Sequence, residues 1–174
     1  MWDFFETVRH RHSVRKYRGD MPVEREKIHA ILEIACAAPS AGDLQAYQII
    51  VVTHPAERDG LRNAAGGQAF LSEAPVCLVF CADPERSGGH YGERGHSLYA
   101  IQDATIAAAY AQLAIVAAGM GSTWVGSFDE EAVKKLLNIE QGKRPVALLS
   151  IGYPAEVPEP TPRRHLDEVV KYRR

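Results

Sequence analysis

Apolar and polar positions along the 174-residue chain alternate between two periods, one helical and one strand-like. In Met1 to Arg9, Trp2, Phe5 and Val8 recur every third position, which predicts a short amphipathic helix. Val23 to Ala38 carries Ile28, Ile31, Leu32 and Ala35 at helical spacing, with Pro22 before it and Pro39 ending it. YQIIVVTH (47–54) and APVCLVFCAD (74–83) are continuous apolar runs, and PVALLSIGY (145–153) is a third; all three read as buried strands. Pro55 to Ala65 predicts a helix. Ser97 to Ala118 is a long Ala-rich helical segment whose small residues suit close packing of other backbones. DEEAVKKLL (129–137) predicts a further helix, with acids first and lysines later, as the helix dipole favours.

The connecting segments are rich in turn formers. PSAGD (39–43) reads as a loop, and GMGSTWVG (119–126) breaks the Ala-rich helix before a strand-like run. Pro84 to Gly95 contains Ser87, Gly88, Gly89 and Gly92 and reads as a mobile loop, with His90, Tyr91 and His96 at its edge. The tail has prolines at 154, 158, 160 and 162, so that stretch is expected to be extended and to wrap something. Interleaved strands and helices, without a linker or repeat, imply one three-layer α+β or α/β domain over residues 1–174.

Charge narrows the partners. The net charge is −2 and the pI about 6.4, which argues against bulk attraction to nucleic acid. Yet the basic residues gather at the two ends: Arg9, Arg11, Arg15, Lys16 and Arg18 in RHRHSVRKYR, then Arg163, Arg164, Lys171, Arg173 and Arg174. Any anion bound there is expected to be small and local. Cys77 and Cys81 stand four residues apart along one strand, roughly 13 Å, too far for a disulfide; they read as small core residues. The acidic first residues do not resemble a secretion signal, and no apolar run reaches about 18 residues, so a cytoplasmic protein without a membrane span is expected.

In an extended segment Arg11, Ser13 and Arg15 project to one side and His12, Val14 and Lys16 to the other. Two guanidinium forks and a hydroxyl make a phosphate receptor; taken in isolation, the run reads first as a solvated charged turn. Neither Gly-containing loop fits GxGxxG between strand and helix, and no P-loop exists. Glycines there either let backbone N–H groups approach a flat ligand or simply turn the chain. The chain has no HExxH, no CxxC pair and no GxSxG elbow, so neither a metal site nor a hydrolase triad is expected.

Taken in order, five blocks resemble the nitroreductase family of FMN-dependent oxidoreductases, especially its short members. They are RHSVRKY, APSAGDLQAYQIIVV, QAFLSEAPVCLVF, LYAIQDATIAAAYAQLAIVAAGMGSTWVGSFDEEAVKKLL and IGYPAEVPEPTPRRHLDEVV, together nearly the whole chain. The resemblance implies an α+β three-layer fold with a central mixed sheet flanked by helices, and a homodimer whose C-terminal tail extends onto the partner. It implies FMN as cofactor, NADH or NADPH as hydride donor, and a small electron-poor acceptor such as a nitroaromatic or quinone, reduced by a ping-pong mechanism. Carried over residue by residue, Arg11 and Ser13 hold the phosphate with His12 close by, joined by Arg163 and Arg164. Arg15 reaches toward the pyrimidine edge of the ring. Pro39, Ser40, Ala41, Gly42, Asp43 and Gln45 approach the ring from the partner subunit. Trp124, Val125, Gly126 and Ser127 lie along it, with the N–H of Gly126 or Ser127 facing N5; Arg15 and Gly126 are the two catalytic candidates. Four positions depart from the family pattern: Asp43 where many members have Asn, Ala46-Tyr47 where Pro-Trp is usual, and Thr161 where some carry a basic residue. The same fold also serves dehalogenation, heterocycle oxidation and flavin breakdown, and a non-catalytic flavin-binding or nucleic-acid-binding module is the remaining alternative.

Overall fold

A computed structural model describes residues 3–173. Eight α-helices and four strands follow one another as α1 (Phe4–His10), α2 (Arg25–Cys36), β1 (Tyr47–Val52), α3 (Pro55–Ala64), α4 (Phe70–Glu73), β2 (Val76–Ala82), α5 (Pro84–Arg94), α6 (Ala100–Ala117), β3 (Gly121–Val125), α7 (Glu130–Leu136), β4 (Arg144–Gly152) and α8 (Leu166–Val169). A 3-10 turn lies at Ala41–Asp43 and a π-helical turn at Gly95–Tyr99.

The sheet order is β1-β2-β4-β3, and every named strand pairs antiparallel with its neighbours. Against the expected mixed sheet, the one parallel pairing among the described residues is an isolated bridge at the edge, between Ser13 of the basic run and Ser122 of β3. β2 and β4 are central, and all seven residues of β2 are buried. Strand alternation then divides the core in two. Leu78, Phe80, Leu149 and Ile151 face Ile28, Ile31 and Ala35 of α2 and Ala107, Ala111 and Ile115 of α6. Cys77, Val79, Cys81 and Leu148 face Leu61 of α3, Phe70 and Leu71 of α4 and Val133 of α7. This is the three-layer α+β arrangement. The helical run Pro84–Ala117 is long and apolar enough to cross a membrane. Within it, nine α6 residues are buried inside this fold, so α6 is its central helix.

Two expectations change. The stretch read as a mobile loop is α5 (Pro84–Arg94), with Gly95 opening the π-helical turn. Asp83 caps α5 by accepting from the Arg86 N–H at 3.2 Å, Pro84 opens the first turn, and Ser87 is fully buried. The glycine signal survives only as a break at Gly92, where the backbone leaves helical geometry (φ 62°, ψ −147°). The N-terminal helix forms where expected, with a capping box in which Asp3 and Glu6 satisfy each other's backbone N–H. Its apolar stripe does not face this chain's core: Phe5 and Val8 are exposed, while Trp2 lies outside the described residues.

Candidate functional site

The basic run is held as an extended edge against β3 and the start of the tail. Val14 N–H donates to the Ser122 carbonyl at 3.0 Å and Arg18 N–H to the Tyr153 carbonyl at 2.9 Å; in return, Ala155 N–H donates to the Lys16 carbonyl. Close approach depends on Gly121, where any Cβ would collide with the Val14 side chain. Beneath the run, the Tyr17 hydroxyl donates to the Val14 carbonyl and shares a hydrogen bond with Ser150 Oγ, both at 2.7 Å. Thr123 Oγ1 also donates to the Val14 carbonyl. Burial pushes the Tyr17 phenol up to about 12, so it stays neutral and keeps donating.

Glu156 completes this edge. Its Oε1 accepts the N–H groups of Arg15 (2.7 Å) and Lys16 (3.2 Å) from across 141 and 140 residues of sequence. Val14 is buried and shares with His12 and Glu156 a cavity of about 210 Å³. Arg11, His12 and Ser13 are half-buried and Arg15 is exposed.

The two ends of the chain meet at Arg11. Partial burial and the positive charge of Arg163 both lower its pKa, burial being the larger cause. Among the described residues neither guanidinium has a carboxylate partner. Two like charges close enough to interact and without an ion-pair partner form a site that favours a multivalent anion. Arg164 points elsewhere: it bonds the carboxylate and the carbonyl of Glu168, each at 3.0 Å.

The Pro39–Gln45 loop lies apart from this cluster within one chain. Gly42, Asp43 and Gln45 all take positive φ (58°, 55° and 48°). Asp tolerates that region better than most residues, which accounts for an Asp or Asn type at position 43. Gln45 N–H donates to Ser40 Oγ and its side-chain amide to the Cys36 carbonyl, both at 3.0 Å. Asp103, buried in α6, accepts from Ala41 N–H at 3.0 Å and Ala46 N–H at 3.3 Å. From the other side, Arg86 Nε donates to the Leu44 carbonyl, and Gly42 sits directly against the Tyr91 hydroxyl. Tyr91 makes edge-on contacts with His90 and Tyr99, ring centres 4.5 and 5.2 Å away. Pro39, Gly42, Asp43 and Gln45 are exposed; Ser40 and Ala41 are half-buried.

The Trp124–Ser127 stretch ends edge strand β3. Trp124 is half-buried and Val125 buried, so Val125 can offer a ligand only its backbone; Gly126 and Ser127 are exposed. Sequence reasoning missed Asp103 and Glu156. Each fixes a predicted segment through backbone amides, and neither carries a motif of its own.

The model of the Nitroreductase family matches residues 8–70 and 62–153. The chain belongs to the nitroreductase family. It is 35% identical over 190 residues to the NADH dehydrogenase of Thermus thermophilus, covering 94% of this chain and 92% of that one. It is 29% identical over 167 residues to the NADPH-flavin oxidoreductase of Vibrio harveyi, covering 91% and 68%. The solved structure of the Vibrio harveyi NADPH:FMN oxidoreductase complexed with NAD+ superposes with a TM-score of 0.89 at 28% identity, over 98% of this chain and 76% of that one.

Proposed function

We propose that this protein is an FMN-dependent oxidoreductase that takes hydride from NADH or NADPH and reduces electron-poor acceptors such as nitroaromatics and quinones in a ping-pong cycle. The observation that carries the reading is the Arg11–Arg163 pair, two cations from opposite ends of the chain near enough for Arg163 to lower the Arg11 pKa, neither of them ion-paired to a carboxylate among the described residues. This donor set fits a phosphate dianion, and family membership supplies the rest.

Arg11 and Arg163 hold the phosphate, and the Ser13 hydroxyl, on the same extended run, adds a donor. When bound, FMN supplies the hydride-accepting and hydride-donating chemistry. Arg15 contributes a fixed positive charge that favours the electron-rich form of the ring. Its backbone is fixed by Glu156, so the guanidinium is presented from a rigid edge. The exposed backbone of Gly126 and Ser127 orients the ring. The Pro39–Gln45 loop serves the partner's ring in a homodimer, which agrees with its lack of any hydrogen bond to the basic run within one chain, among the described residues.

The purified protein is expected to show a flavin absorbance spectrum, or to gain one when FMN is supplied, and to bleach on addition of NADH or NADPH. A protein that stays colourless after reconstitution sinks the proposal. A bound flavin that neither NADH nor NADPH bleaches sinks the hydride-transfer part alone.

A further inference from the structure

Asp103 lies within the block LYAIQDATIAAAYAQLAIVAAGMGSTWVGSFDEEAVKKLL, yet none of the site roles set out above falls on it. It is a carboxylate deep in the fold, 2% exposed, on the central helix α6. Among the described residues it has no cationic partner. Its two oxygens are used on one segment: Oδ1 accepts Ala41 N–H and Oδ2 accepts Ala46 N–H. Those amides bracket Gly42, Asp43 and Gln45, three of the six residues assigned to the flavin ring. Between them Gly42, Asp43 and Gln45 hold left-handed backbone conformations. Non-glycine residues adopt these only where the surroundings over-determine them. A buried carboxyl group accepting two backbone N–H groups is such a constraint, since freeing either amide inside the fold would leave a buried donor unpaired.

We propose that Asp103 is a positioning residue for the cofactor: it fixes both ends of the 41–46 segment from inside the protein, so the loop is already formed before flavin arrives. The role rests on the assignment of that loop to the flavin. Without the clamp, the loop samples other conformations, and apparent affinity falls by the fraction of time the competent one is populated. The carboxylate form is specific to the task. Asn in the same place keeps one acceptor but turns an NH2 donor toward the second amide, so one bond is lost and two donors face each other.

The experiment uses the full-length protein, wild type and Asp103→Asn, with Asp103→Ala as a second variant. Amide hydrogen exchange is measured without flavin, and FMN binding by fluorescence quenching and visible circular dichroism. In the wild-type apoprotein the Ala41 and Ala46 amides are expected to exchange slowly; rapid exchange there overturns the proposal even if neither variant folds. In Asp103→Asn, exchange across 41–46 is expected to rise while β2 and β4 amides keep their wild-type rates. The FMN Kd should rise roughly tenfold, with an altered dichroism of the bound ring. Exchange that rises in the strands in step with the loop means general destabilisation and overturns it. Faster loop exchange with wild-type Kd and dichroism also overturns it, by removing this loop from the flavin; the phosphate site at Arg11 and Arg163 is untouched by that outcome.

Discussion

At the scale of single residues, the charges at the two ends divide into used and unused. Arg11→Ala removes one of the two guanidiniums assigned to the phosphate, and the expected loss is about 1.5–3 kcal/mol of FMN binding, roughly tenfold to a hundredfold in Kd. Titration of the apoprotein with FMN measures it, and wild-type affinity would remove Arg11 from the phosphate. Arg15→Ala is expected mainly to lower the flavin reduction potential, read by a spectroelectrochemical titration. Beneath them, Tyr17 links the basic run to β3 and β4. Tyr17→Phe loses the hydroxyl's bonds to the Val14 carbonyl and Ser150, which is expected to lower urea stability by about 1–3 kcal/mol. The same buried groups set an alkaline limit. Burial raises Cys81 to about 11 and Cys77 and Tyr17 to about 12, from ordinary values of 9.0 for the thiols and 10.0 for the phenol. Each raised acid keeps its proton in the folded chain where the unfolded chain releases it. Stability is therefore complete below pH about 9 and falls as pH rises through about 9 to 12. Urea midpoints should decline across that range. Cys77→Ala with Cys81→Ala should flatten the first part of the decline, leaving the part due to Tyr17.

At the scale of elements, the long-range partners decide what the sequence could reveal. β2, β4 and α6 are legible because their patterns are local: unbroken apolar residues for the strands, small residues at helical spacing for α6. α5 is not, because Gly88, Gly89 and Gly92 speak for a loop while its stabilising contacts lie elsewhere. Arg86 reaches the Leu44 carbonyl and Tyr91 reaches Gly42, both more than 40 residues away. The candidate site divides the same way. Arg11 and Arg163 stand out as charge against an acidic chain, whereas Asp103 and Glu156 do their work on backbone amides that have no residue signature. The α5–loop contact makes a sharp prediction. Gly42→Ala introduces a Cβ at φ 58° that also collides with the Tyr91 hydroxyl. It should destabilise by more than about 1 kcal/mol. Adding Tyr91→Phe removes the steric part and should recover some of the loss, while the backbone part remains. A double-mutant cycle in urea reads the coupling; strict additivity would show that Tyr91 and Gly42 do not touch in solution.

At the scale of the whole molecule, one chain leaves too much apolar surface uncovered. Phe4 and Phe5 of α1 are 66% and 68% exposed, and Ile34 of α2 and Tyr110 of α6 are exposed beside them. Phe4, Ile34 and Tyr110 line an apolar groove of about 580 Å³ together with Ile31 and Leu113. The tail adds Val157, Leu166 and Tyr172, exposed at 94%, 72% and 83%, on a segment that leaves the sheet after Gly152 and is exposed at every residue from 159 to 173. Monomers rarely present so many large apolar side chains on contiguous helices and an extended arm at once. The homodimer proposed above would cover both, and it makes the tail serve two ends: its apolar residues against the partner, its Arg163 against Arg11 of its own chain. Light scattering should then give twice the 19.2 kDa chain mass. Ending the chain after Pro158 removes Leu166, Tyr172 and Arg163 together, so it should weaken association and FMN binding in the same variant. The substitution Arg163→Ala separates the two, because it should weaken FMN binding and leave the dimer intact. A wild-type chain that binds FMN fully as a monomer would show that both segments of the flavin site come from one copy, and the partner's part in it would have to be given up.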